Sequence, residues 1–251
     1  MSAEIEIKHL QKKYPNGVEA LKGIDLEIGK GRLFALLGPN GAGKSTLVKI
    51  MTSLIRKDSG EFRIGGMNPE DHFARLRQYM GIASQENELD PGEKTETLLR
   101  FQARLFGMSK KLAAERADEL IRLFRLSAER AKKVSALSGG NKRRLHCALA
   151  LVHHPRILFL DEPTVGMDPL ARETFWSVIT DLNEQENITV LLTTQYLEEA
   201  DKYASDIALI MEGRIHFAGT IPAFKSLVHP NPQASLEESY IMYVKSIIST
   251  N

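Results

Sequence analysis

Apolar and polar residues alternate in two stretches near the start of the chain, at Ile5 and Ile7 in "IEIKHLQKKY" and at Leu26 and Ile28 in "VEALKGIDLEI". A period of two marks half-buried strands. Pro15, Asn16 and Gly17 between them are turn formers, so the pattern predicts a β-hairpin. "RLFALLG" (32–38) is different: a short apolar run that ends in glycine, which reads as a strand buried on both faces. "KSTLVKIMTSL" then changes period, with Leu47, Ile50, Met51 and Leu54 at helical spacing. Residues 95–133 are rich in Leu, Ala, Arg and Glu and predict two or three amphipathic helices. Beyond them, "RILFLDEP" (156–163) and "ITVLLTTQ" (188–195) read as further buried strands. "RETFWSVITDLNEQ" and "LEEADKYA" read as helices, and "IALIMEGRIHFAGT" as two short strands around a Glu-Gly turn. Strands that alternate with helices imply an α/β fold with a mostly parallel sheet covered on both faces, into which the helical stretch is inserted. "VHPNPQAS" (228–235) reads as a linker before a short tail, 229–251, so the main domain is expected over 1–228.

Composition changes this picture little. The 251 residues, 43% hydrophobic and 26% charged, suit a globular chain of one or two domains, and no apolar run approaches the ~20 residues of a membrane span. A formal net charge of +1 gives no electrostatic argument for nucleic acid as a partner. "MSAEIEIKHL" has early acids and no long apolar run, unlike a secretory signal. The single cysteine, Cys147, excludes an internal disulfide, points to the cytosol, and is expected to be a small buried apolar side chain. The sequon at Asn187–Thr189 is read as accidental in such a chain.

The chemistry sits where the periods change. "GPNGAGKS", Gly38 to Ser45, fits the pattern G-x-x-x-x-G-K-[ST] in full, and a strand precedes it and a helix follows. Its backbone N–H groups and the helix N-terminus suit phosphate oxygens; Lys44 is expected at the β- and γ-phosphates and the Ser45 hydroxyl at Mg²⁺. "ILFLDE" delivers Asp161 to the carboxyl end of a buried strand, where ligands bind in open α/β sheets. Asp161 is expected to hold Mg²⁺ and Glu162 to orient or deprotonate an attacking water. A second anion cradle, "LSGGNKRRL" (137–145), raises the question why one chain needs two. Lys142, Arg143 and Arg144 in it are read as a solvated face.

In order and spacing these motifs resemble the nucleotide-binding subunit of ABC transporters, over nearly the whole chain. The resemblance implies a P-loop NTPase core with a mostly parallel sheet, an N-terminal antiparallel β subdomain, and a helical subdomain at about 86–148. It implies ATP and Mg²⁺ as cofactors, with Gly38, Pro39, Asn40, Gly41, Ala42, Gly43, Lys44, Ser45 and Thr46 cradling the phosphates. Tyr14 would stack on adenine, and Gln85 would be the Q-loop residue that reaches the metal. Ser138, Gly139 and Gly140 match the signature motif, and Asp168 the D-loop. Two such chains pair head to tail, so the second cradle would serve the nucleotide of the second copy. An integral membrane permease would be the partner, placing the chain at the cytoplasmic face of the membrane. Of Leu89, Leu98, Leu99, Phe101 and Phe106, most are read as the core of the helical insert, and a coupling groove is the other reading. Two residues depart from the broad family: Asn141 stands where it has Gln, as in lipid-exporter-type cassettes, and Gln195 where most members have the switch His. "TTQYLEEAD" and "SLEESYIMYV" are similar to the daunorubicin-type drug exporters. Two rival readings remain: a soluble ABC-type ATPase outside transport, and a nucleotide-gated clamp that scarcely hydrolyses.

Overall fold

The structure is a computed structural model and describes residues 3–84, 89–231 and 233–248. The chain divides into two compact units, Met1–Asp71 with Leu191–Asn251, and His72–Val190.

The first unit carries the predicted hairpin. Strands β1 (Ala3–Lys13) and β2 (Glu19–Gly29) pair antiparallel, with Ile5 opposite Ile28 and Ile7 opposite Leu26. A strand that the hydropathy pattern did not single out, β4 (Ser59–Ile64), adds to the other edge of β1 and sets Ile64 and Phe62 opposite Ile5 and Ile7. All six of these side chains are buried, so the period-two alternation has become one apolar sheet face. Strand β3 (Leu33–Leu37) is buried at every position and leads through a loop into α1 (Lys44–Met51). It pairs parallel with β8 (Asp206–Met211), which turns back antiparallel into β9 (Arg214–Thr220). The reversal is made at Glu212 and Gly213, with φ of 48° and 77°, the left-handed pair that tight hairpins require. Strand β7 (Thr189–Thr194), which crosses the division between the units, lies on the other side of β3 and is followed by α7 (Leu197–Tyr203). Helices α8 (Ile221–Val228) and α9 (Leu236–Ile248) complete this unit. The segment read as a tail is therefore largely helical, and it is fixed in place: Asp201 on α7 accepts the Leu236 N–H at 2.9 Å and the Lys225 ammonium at 2.6 Å.

In the second unit, β5 (Met80–Ala83) pairs parallel with β6 (Ile157–Asp161). A Cβ on Gly81 of β5 would lie 2.2 Å from the Ala150 carbonyl, so glycine here permits the close approach of strand and helix α5 (Gly139–Ala150). Helix α2 (Pro69–Tyr79) leads into β5. The expected helical stretch consists of α3 (Thr95–Leu105) and α4 (Lys110–Leu123), then two short 3₁₀ turns before α5. Helix α6 (Pro169–Glu186) buries Phe175 and Trp176 completely. Leu99 is in the core, whereas Phe101 is exposed and Phe106 stacks on His153 with ring centroids 3.9 Å apart. Among the described residues no helix is long and apolar enough to cross a membrane.

Candidate nucleotide site

The loop between β3 and α1 is shaped by two glycines. A Cβ on Gly38 would lie 2.1 Å from the Ile210 carbonyl oxygen, so the strand end fits against β8 only without a side chain. Gly43 has φ of 111°, and a Cβ there would lie 2.6 Å from the Ala20 carbonyl. Being glycine, Gly43 also offers no side-chain oxygen to cap α1. Helices α4, α5, α6 and α8, by contrast, are capped by Ser109, Ser138, Asp168 and Thr220. The first-turn N–H groups of α1 thus get no side-chain cap from Gly43, which suits a phosphate. Pro39, Asn40 and Gly41 form the exposed rim of the loop, while Ala42, Gly43 and Lys44 are buried. The β8–β9 turn braces it from beneath, the Gly213 N–H donating to the Ala42 carbonyl at 3.0 Å.

Lys44 is 6% exposed, and its ammonium donates to the carbonyls of Gly38 at 2.7 Å and Pro39 at 3.0 Å. A buried cation is thereby fixed at the loop, and the donor set fits a polyphosphate. Ser45 and Thr46 are half-buried in the first turn of α1. The Tyr14 hydroxyl lies 3.2 Å from Thr46 Oγ1. Gln195 is exposed just beyond β7, in a bend where Thr194 Oγ1 accepts the Tyr196 N–H at 3.0 Å. Tyr14, the whole loop and Gln195 all belong to the first unit.

The remaining predicted residues belong to the second unit, except Gln85, which lies outside the described residues. Asp161 ends β6 and is 8% exposed. Glu162 follows with φ of 50°, a left-handed conformation that is uncommon for a residue with a side chain. Ser138 is exposed and caps α5, its Oγ accepting the Asn141 N–H at 3.3 Å; the hydroxyl proton stays available as a donor. Asp168 caps α6 in the same way, accepting the Ala171 N–H at 2.9 Å. Gly140 faces that helix start: a Cβ there would lie 3.4 Å from the Ala171 Cβ. Among the described residues no group of three or more His, Cys, Asp or Glu side chains is placed to hold a metal. A Mg²⁺ that accompanies a nucleotide needs only one or two carboxylates besides the phosphates.

The expectation of a solvated basic face at 142–144 is corrected. Arg143 is 3% exposed, and its guanidinium donates to the backbone carbonyls of Ser84, Asp161 and Pro163, the last at 3.1 Å. Arg144 is half-buried and donates to the Phe124 carbonyl at 3.1 Å. A signal was present: Gly140, Arg143, Cys147 and Ala150 fall on one helical stripe, and all four are buried. One turn beyond Arg143, burial and then the Arg143 charge push the His146 imidazole down to about 4, so it is neutral at pH 7. Burial raises the Cys147 thiol to about 11, which makes it a packing residue rather than a nucleophile.

Residues 21–165 match the family model described as ABC transporter. The chain is 40% identical over 227 residues to the daunorubicin/doxorubicin resistance ATP-binding protein DrrA of Streptomyces peucetius, which covers 90% of this chain and 68% of the relative. It is 35% identical over 216 residues to the linearmycin resistance ATP-binding protein LnrL of Bacillus subtilis, 86% of this chain and 69% of the relative. Among solved structures, the ATP-binding subunit of an ABC transporter superposes with a TM-score of 0.85 at 27% identity, over 96% of this chain and 98% of that one. A dimeric post-hydrolysis state of the ATP-binding cassette MJ0796, bound to ADP and Pi, gives 0.79 at 25% identity over 86% and 98%.

Proposed function

We propose that this chain, which belongs to the ABC transporter ATP-binding family, is the ATPase subunit that drives an exporter through a separate membrane permease. ATP is its substrate. The observation that carries the reading is the buried Lys44 ammonium, held at a glycine-shaped loop whose helix has no side-chain cap. In this reading the backbone from Gly38 to Thr46 cradles the phosphates, Lys44 neutralises the β- and γ-phosphates, and Tyr14 covers the adenine. Ser45, Asp161 and Gln85 hold Mg²⁺, which supplies charge neutralisation at the phosphates. Glu162 takes a proton from the attacking water. Gln195 contacts the γ-phosphate through a neutral amide.

The second cradle belongs to a second copy. Ser138, Gly139, Gly140 and Asp168 meet the nucleotide held by the partner chain, so ATP joins two chains and hydrolysis releases them. The chain then works at the cytoplasmic face of the membrane, bound to its permease. The relatives' names, resistance to daunorubicin, doxorubicin and linearmycin, support drug export as the task.

Complementation tests this reading. Ser138→Arg and Lys44→Ala should each lose turnover, Ser138→Arg while still binding ATP as a monomer. Mixed, the two lesions meet at one site of a hetero-pair and leave the other intact, so activity should return in part. Loss of ATP binding by Ser138→Arg alone would place the signature motif in its own chain's site and contradict the pairing.

A further inference from the structure

We infer that Arg143 is the positioning residue of the catalytic carboxylate: from the signature helix it clamps the backbone on both sides of Glu162. This rests on the reading of Glu162 as the group that activates water.

Arg143 lies in the second turn of α5, the helix that Ser138 opens. Its Nε–H donates to the Pro163 carbonyl at 3.1 Å, one terminal nitrogen to the Asp161 carbonyl and the other to the Ser84 carbonyl. Two of these acceptors flank Glu162 in the chain, one on each side. The third, Ser84, directly follows β5. One planar cation therefore holds three carbonyl groups, a geometry suited to the fixed fork of a guanidinium.

Glu162 gives the clamp its meaning. At φ of 50° it has a backbone conformation that residues other than glycine seldom adopt. Such a residue persists only where its surroundings over-determine it, and strained backbone of this kind collects at active sites. The Asp161 carbonyl belongs to the peptide plane that enters this strained position, the Pro163 carbonyl to the plane just beyond a proline whose ring fixes φ, and Arg143 holds both. With the chain held before Glu162 and again after Pro163, the direction in which the Glu162 side chain leaves the backbone is restricted. Within the same unit, Gly140 packs beside Ala171 and Met167, so the turn that carries Ser138 is itself seated. The residues that present the signature serine and those that aim the carboxylate thus share one helix start.

The burial of the cation fits this role better than a phosphate contact. Arg143 is 3% exposed, and its guanidinium donates to three backbone carbonyl oxygens. Lysine at this position would keep the charge but lose the planar fork. Glutamine would keep an amide donor and lose the charge.

The test uses the full chain with Mg·ATP and four variants: Arg143→Lys, Arg143→Gln, Glu162→Gln, and Arg143→Lys combined with Glu162→Gln. Phosphate release gives kcat and KM, and thermal unfolding is followed on the same samples. If Arg143 acts through Glu162, Arg143→Lys lowers kcat about tenfold or more while KM stays within about threefold. The double variant is then no slower than Glu162→Gln alone, because there is no aimed carboxylate left to misplace. Arg143→Lys carries this comparison whether or not Arg143→Gln folds. A wild-type kcat in Arg143→Lys beside an inactive Glu162→Gln would overturn the Arg143 assignment and leave the reading of Glu162 standing. So would a rise of KM in step with the loss of kcat, or a double variant slower than Glu162→Gln by the whole Arg143 factor. Full turnover in Glu162→Gln would instead remove the reading on which the clamp rests.

Discussion

The Tyr14 hydroxyl lies 3.2 Å from Thr46 Oγ1, which ties the aromatic ring at the end of β1 to the first turn of the helix behind the phosphate loop. Under the proposed function Tyr14 has two separable roles, a ring face for the adenine and a hydroxyl that orients the ring. Base–aromatic stacking is worth about 1–3 kcal/mol by alanine substitution, more than the about 1 kcal/mol of a partly exposed hydrogen bond. Tyr14→Ala should therefore weaken ATP binding about tenfold or more, while Tyr14→Phe stays within about threefold of wild type. Calorimetric titration with ATP separates the two; equal losses would mean that the hydroxyl rather than the ring matters.

Gln195 predicts an unusual pH response. A histidine at this place would titrate near ~6.5, and an amide does not titrate. The wild-type pH–rate profile should therefore lack an inflection from this residue. Gln195→Ala should lower turnover and spare most ATP affinity, because one γ-phosphate contact is lost. Gln195→His should keep activity and add an inflection near ~6.5. Steady-state ATPase across that range checks all three proteins. A Gln195→Ala variant equal to wild type would remove Gln195 from the site.

The neutral His146 should make the fold acid-sensitive. Its folded pKa is held at about 4 by burial and the Arg143 charge, whereas an unfolded chain titrates near ~6.5. Between these values the unfolded chain binds a proton that the folded chain refuses, so stability rises with pH through the window and is lost as pH falls. At about pH 5 this residue alone lowers stability by up to about 2 kcal/mol. His153 and His154, also shifted down by burial, act in the same direction. Denaturant unfolding at about pH 5 and pH 7.5 should show a smaller difference for His146→Gln than for wild type. The same difference in both would place the acid sensitivity elsewhere.

What could be read from the chain was what is local. The β3–loop–α1 unit is contiguous, so its strand, glycines and Lys44 announce themselves in thirteen residues or so of pattern. The β1–β2 hairpin showed for the same reason, through alternation and a turn. Strand β4, "SGEFRI", did not, because only Phe62 and Ile64 are buried and its place depends on β1, fifty residues away in sequence by rough count. Helix α9 was hidden behind a Pro-marked segment and is held by Asp201, a contact that no local pattern encodes. Arg143 is the instructive miss. Charged residues are seldom buried, so a basic triplet reads as surface, and the carbonyls of Ser84, Asp161 and Pro163 help make the burial of Arg143 tolerable. Those carbonyls come from two places in the chain, both distant from Arg143 in sequence, and converge in the fold.

Under the proposed function, Glu162 drives hydrolysis of the ATP that joins two copies of this chain. Removing the carboxylate should leave ATP bound and uncleaved, so the joined state should accumulate. The decisive measurement is the mass of Glu162→Gln by light scattering, at high protein concentration, with and without Mg·ATP. One chain's mass is expected without nucleotide and twice that mass with it. A single-chain mass under both conditions, with ATP shown to be bound, would contradict it.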